Sequence, residues 1–102
     1  MSTKLQEEVW KKLKEIPKGK VTTYKLLADA LESRAVRAIA TAVGKNPYAP
    51  DTPCHRVVLS NGSIGNYTHP LGIKRKIELL EQEGVEIVNE KVLNFNNILY
   101  SF

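Results

Sequence analysis

The stretch from Thr23 to Gly44 narrows the fold more than any other. Thr23 can cap a helix over roughly residues 24–31 that buries Leu27, Ala30 and Leu31. Ser33 can cap another over roughly residues 34–44, and Gly44 followed by Asn46-Pro47 supplies its stop. Within that second helix Val36, Ile39, Ala40 and Val43 fall at i, i+3, i+4 and i+7, which predicts one apolar stripe. About three residues separate the two helices, the layout of a helix-turn-helix whose second helix commonly meets nucleic acid.

The face opposite the stripe is expected to carry Arg34, Arg37, Ala38, Thr41, Ala42 and Lys45. Small residues in the middle, ringed by cations, suit close approach to a backbone or a narrow groove, with the cations on phosphates. An alanine-rich helix also follows from propensity alone, and the spacing does not separate the two readings.

The remainder is organised around this unit. Leu5, Val9, Leu13 and Ile16 predict an amphipathic helix over residues 3–16, ended by Pro17 and Gly19. Val57-Val58-Leu59 is a short strand candidate, and Ser60-Asn61-Gly62 marks a turn. Pro70 suits the first turn of a helix over roughly residues 70–83, with Ile73, Ile77 and Leu80 on its apolar face and Gly84 as its stop. Residues 85–88 can form a strand, and the apolar residues from Val92 to Phe102 read as core cover.

The chain has 102 residues, enough for one domain with a modest core. No apolar run approaches the ~18 residues of a membrane span, and the N-terminus is too acidic for a secretory signal. Net charge is +4, which permits a polyanionic partner without requiring one. Lysines crowd the first quarter, and Lys74-Arg75-Lys76 forms a second cluster; taken alone, both read as solvated helix faces.

Cys54 is the single cysteine, so no disulfide forms within the chain, and with two histidines no structural zinc site of the usual kind can be assembled. It is either a small buried apolar residue or a reactive thiol. Its neighbours His55 and Arg56 are both able to stabilise a thiolate. A lone cysteine without a leader suggests a reducing compartment: the cytoplasm, or the nucleus of a eukaryote.

Taken together, Pro53-Cys54-His55-Arg56-Val57, the Asn46-Pro47 before it, and the NGSIGNY and LLEQEG runs after it resemble the C-terminal domain of methylated-DNA–protein-cysteine methyltransferases. These are the O6-alkylguanine-DNA alkyltransferases, and the resemblance covers about residues 7–88. It implies a mainly α domain with short β-strands, a winged-helix-like helix-turn-helix spanning residues 1–102 without the usual N-terminal domain. It further implies a monomer that needs no cofactor and no membrane and acts on double-stranded DNA containing O6-alkylguanine. The activity implied is alkyl transfer to the protein's own cysteine, once per molecule, after minor-groove binding and flipping of the damaged nucleotide.

Carried over by position, the resemblance makes Cys54 the alkyl acceptor, His55 its base acting through a water, and Glu83 the group that orients His55. Asn46 would fix the active-site loop. Arg37 would fill the hole left by the flipped base, and Tyr24 would help rotate the phosphate. Arg34, Ala38, Thr41, Ala42 and Lys45 would complete the DNA face. Tyr67 would donate to the guanine O6, with Lys76 nearby, and the carbonyls of Val57 and Val58 would read the guanine amino group.

Two departures from the family pattern stand out: Thr68-His69-Pro70 replaces a glycine-rich loop, and Ala49 takes a usual proline position. The nearest alternative is an alkyltransferase-like protein that binds the lesion and signals without transfer. Such proteins typically carry tryptophan where this chain has Cys54. A non-catalytic winged-helix regulator would need no thiol relay, and a thiol hydrolase would need an oxyanion hole for which the sequence offers no recognisable source.

Overall fold

The computed structural model describes residues 3–47, 52–65 and 72–102. Helix α1, Lys4–Leu13, starts at a capping box. Thr3 Oγ1 accepts from the Gln6 amide at 3.1 Å, and Gln6 Oε1 accepts from the Thr3 amide at 3.0 Å. It buries Val9, Trp10 and Leu13. The regular helix ends earlier than the pattern predicts, although Ile16 still enters the core. The following turn is closed by Lys20 N–H to the Pro17 carbonyl at 3.1 Å, with Gly19 at φ 85°. Glycine suits that third turn position, which needs positive φ.

Strand β1, Thr22–Thr23, leads directly into α2, Tyr24–Ala30. Thr23 caps this helix as expected, its Oγ1 accepting from the Leu26 amide at 3.0 Å. Leu27 and Ala28 are its buried residues. The helix closes in a Schellman motif, Ser33 N–H to the Ala28 carbonyl and Glu32 N–H to the Asp29 carbonyl, with Glu32 at φ 53°.

Helix α3, Val36–Gly44, begins later than predicted. Ser33 does not cap it; its Oγ accepts from the Ala35 amide in a turn ahead of the helix. The buried stripe is also rotated. It comprises Ile39, Ala42 and Val43, while Val36 is 39% exposed. Trp10 accounts for the rotation. Its indole N–H donates to the Ala42 carbonyl at 2.8 Å, and only a small residue lets the two helices approach so closely. Ala42 therefore belongs to the core, which corrects its placement on the DNA face.

A 3-10 turn, Cys54–Arg56, runs into strand β2, Val57–Val58, which pairs in parallel with β1 in the register Thr22↔Val57. This pairing brings the start of α2 to the cysteine turn. Helix α4, Ile73–Gln82, buries Lys76, Leu79 and Leu80. Its end is another Schellman motif, Gly84 N–H to Glu81 and Val85 N–H to Leu80, both at 3.0 Å. Gly84, at φ 90°, is the stop the sequence predicts, and it leaves Glu83 as the capping residue. Pro70, expected in the first turn, lies outside the described residues.

The wing is an antiparallel hairpin of β3, Ile87–Val88, and β4, Lys91–Val92. Its two-residue turn is Asn89-Glu90, both at positive φ. Bonds from Ile64 N–H to the Glu90 carbonyl and from Val92 N–H to the Gly62 carbonyl pin it to the loop after β2. After the short helix α5, Phe95–Ile98, the chain pairs with residue 21: Val21 N–H donates to Ile98 and Tyr100 N–H to Val21. Two core clusters result. One joins α1, α2, α3 and the cysteine turn; the other joins Val21, Val58, Ile64, α4 and the wing. Among the described residues no helix is long and apolar enough to cross a membrane.

Candidate active site

Cys54 sits at the first position of the 3-10 turn, 5% exposed, on the wall of a cleft of about 830 Å³. The turn is fixed from behind by the Thr52 carbonyl, which accepts from the Cys54 amide at 2.9 Å and from Asn46 Nδ2 at 2.7 Å. Asn46 thus ties the end of α3 to the loop entering the cysteine.

His55 is 1% exposed, and its Nε2 lies 3.0 Å from Glu83 Oε2. Glu83 also accepts from Arg56, Nε to Oε1 at 2.9 Å and a second nitrogen to Oε2, while the remaining guanidinium nitrogen donates to the Ile16 carbonyl at 2.7 Å. Burial alone would raise the Glu83 carboxyl, but Arg56 and then His55 hold it below its usual range. An ionised carboxylate only accepts, so Nε2 carries the proton and Nδ1 is left as the acceptor. Nδ1 is buried and has no hydrogen-bond partner among the described residues. Burial is the largest cause lowering the His55 pKa; Arg56 and Lys76 push the same way, and Glu83 opposes them. The arrangement is a neutral imidazole able to take a proton beside a thiol.

Lys76 departs from the sequence reading. It is not a solvated member of a basic cluster but a buried ammonium, 1% exposed. It donates to the Val57 carbonyl at 2.7 Å and to the Ile64 carbonyl at 2.6 Å, bracing β2 against the wing loop. Burial lowers its pKa to about 8, with the Cys54 thiolate acting in the opposite sense. Val57 and Val58 are both fully buried, and the Val57 carbonyl, expected to read a guanine amino group, is already an acceptor for Lys76.

The opposite wall of the cleft comes from the helix-turn-helix. Tyr24, Lys25, Val36, Arg37, Ala40, Thr41, Val43 and Gly44 line it together with Cys54 and, from the wing side, Leu59, Ser60 and Gly65. Tyr24 is half-buried; burial and then the Cys54 charge raise its pKa. Arg37 and Thr41 are exposed on this wall, and Thr41 Oγ1 donates to the Arg37 carbonyl at 3.1 Å. Arg34, Ala38 and Lys45 are exposed as expected but do not line the cleft. Tyr67 and the Thr68-His69-Pro70 loop lie outside the described residues.

Sequence reasoning missed Val36 and Leu59 as cleft residues and Arg56 as a partner of Glu83. Exposed apolar side chains beside a thiol carry no periodic signal. Arg56, however, adjoins a histidine that needs an acid, and an arginine beside such a pair is a natural second partner for the carboxylate.

The model of the 6-O-methylguanine DNA methyltransferase DNA-binding domain matches residues 4–85. A methylated-DNA–protein-cysteine methyltransferase of Candida glabrata is 48% identical over 90 residues, covering 87% of this chain and 42% of that protein. One from Saccharolobus solfataricus is 49% identical over 79 residues, covering 78% and 50%. The chain thus spans half or less of the length of these relatives. Among solved structures, Mycobacterium tuberculosis OGT in complex with DNA superposes with a TM-score of 0.75 at 42% identity, covering 81% of this chain and 51% of that one. Schizosaccharomyces pombe Atl1, in complex with damaged DNA containing O6-carboxymethylguanine, superposes over 100% of both chains with a TM-score of 0.85 at 30% identity. The matched span takes in the helix-turn-helix, the cysteine turn and the Glu83 cap alike, and the chain belongs to the 6-O-methylguanine DNA methyltransferase family through its DNA-binding domain.

Proposed function

We propose that this chain repairs DNA by moving an alkyl group from the O6 of guanine to Cys54, once per molecule. The observation that carries the reading is a cysteine beside a buried His55 paired with Glu83, at a cleft whose far wall is the second helix of a helix-turn-helix. The thiol proton passes to His55 Nδ1, through a water as the resemblance implies. The sulfur then attacks the alkyl carbon, the carbon–O6 bond breaks, and the guanine leaves as an anion that takes a proton. Tyr67 is the proposed donor of that proton. A carboxylate-held imidazole is worth ~10²–10⁴-fold in such a step.

The partner proposed is double-stranded DNA carrying O6-alkylguanine, met by a monomer through α3. Arg37 fills the space of the flipped nucleotide and Tyr24 supports its phosphate. Arg34 and Lys45 contact phosphates, and Ala38 and Thr41 permit close approach.

The whole-chain likeness to Atl1 favours a second reading, lesion binding without transfer. Cys54 with its relay supports transfer instead. Intact-mass measurement after mixing with duplex DNA holding one O6-methylguanine decides between them. Transfer adds about 14 mass units, one methylene, to Cys54 as the thiolate acceptor. Tight binding with an unchanged mass after long incubation establishes the second reading.

A further inference from the structure

Arg56 makes none of its described hydrogen bonds to the cysteine beside it. Its side-chain bonds all run to Glu83 and to the Ile16 carbonyl beyond α1. Cys54, His55 and Arg56 share one 3-10 turn, and Glu83 at the end of α4 receives the side chains of His55 and Arg56. A carboxylate that served His55 alone would direct its full charge at the imidazole. Here a guanidinium forks across both of its oxygens, the arrangement in which arginine binds carboxylates most strongly. The fork is anchored, because the Ile16 carbonyl holds the guanidinium at its far side at 2.7 Å.

We propose that Arg56 is a positioning residue for the Cys54–His55–Glu83 relay: it fixes Glu83 in line with His55 Nε2 and takes up enough of its charge to keep the imidazole neutral with Nδ1 ready to accept. The proposal rests on the transfer reading for its kinetic consequence, but not for its structural content. Besides burial, three charged groups bear on His55: Glu83 from the end of α4, Arg56 from its own turn and Lys76 from within α4. Glu83 favours the imidazolium, while Arg56 and Lys76 oppose it. Removing Arg56 leaves Glu83 unshared, so the imidazolium becomes easier to form and less base is available in mildly acidic solution.

The test has two readouts on Arg56→Met, with Arg56→Lys as the conservative variant. The first is an NMR titration of the His55 ring nitrogens in the free protein, which needs neither DNA nor transfer. The midpoint is expected to move upward in Arg56→Met, and less in Arg56→Lys, which keeps a cation without the fork. The second is the pH profile of single-turnover methyl transfer. Its acidic limb is expected to move upward, so that the variant loses a few-fold more rate at pH 6 than at pH 8.5, the ratio approaching ~10-fold per unit of displacement well below the parent's midpoint. An unmoved His55 midpoint, or a rate lowered by one factor at every pH, overturns the proposal and makes Arg56 a strut between α1 and α4. If Arg56→Met does not fold, Arg56→Lys decides on the same two readouts. If the parent protein takes no methyl group, the transfer reading falls while the titration still judges Arg56.

Discussion

Lys76→Met isolates the consequence of burying an ammonium beneath the cysteine turn. The amine is 1% exposed and its pKa falls from 10.5 to about 8 on folding. In the unfolded chain it regains the higher value, so between these limits the unfolded state binds more protons than the folded one. Stability then rises with pH across that window. The penalty for holding the charge is complete below about pH 8 and vanishes above 10.5, an order-of-magnitude total of about 3 kcal/mol. From pH 7 to pH 9.5 about 2 kcal/mol of it is relieved. Methionine has no proton to lose, so the difference between parent and variant carries this slope while other titrations largely cancel. At pH 7 the variant leaves the Val57 and Ile64 carbonyls without this donor, a loss of ~1–3 kcal/mol for each carbonyl left unsatisfied. Urea unfolding of both proteins at pH 7 and 9.5 measures both effects. The parent should gain about 2 kcal/mol on the variant over that range. A difference that stays constant refutes the reasoning: the two carbonyls would then compensate the buried charge in full.

Two further predictions separate the faces of the fold. Ala42→Leu forces extra volume under Trp10 and should cost ~1–3 kcal/mol in thermal unfolding. Ala38→Leu should leave stability within ~0.5 kcal/mol of the parent while weakening binding to duplex DNA, because Ala38 is exposed on α3. Glu32→Gly and Glu90→Gly replace side chains held at φ 53° and 60°. Each should stabilise by about 1 kcal/mol, measured by denaturant midpoint at unchanged slope.

Much of this architecture was legible where a local rule acts alone. Thr23 caps α2 and Gly84 stops α4 because a hydroxyl near unpaired amides and a glycine at positive φ work through a few neighbouring atoms. The His55–Glu83 contact was legible only through the family resemblance, since residue 83 lies far along the chain and no periodicity joins it to residue 55. Other features were hidden for physical reasons. The wing turn uses Asn89-Glu90, not the Asn-Gly pair that announces such hairpins, so residues 85–88 read as a strand with nothing to mark its partner β4. The rotation of α3 depends on an indole supplied by α1, a tertiary contact that outweighs the helix's own stripe. Lys76 looked solvated because it follows two other cations, and its burial is set by carbonyls from β2 and the wing loop.

The pairing of residues 98–100 with Val21 also bears on how the domain folds. Val21 N–H bonds to Ile98 and Tyr100 N–H bonds to Val21, while Thr22 Oγ1 donates to the Tyr100 carbonyl at 3.0 Å. The residues that precede Tyr24 are therefore held from two directions, by β2 and by a segment more than seventy residues away. Contacts of such sequence separation form late, because the intervening chain must be closed before they return any stabilisation. A domain with this much helix would fold quickly if its contacts were local. This one must wait for its far end, and during synthesis Val21 cannot be paired until Tyr100 has been made. Until then the edge beside the cleft presents unpaired backbone, the part of a nascent chain most open to wrong partners.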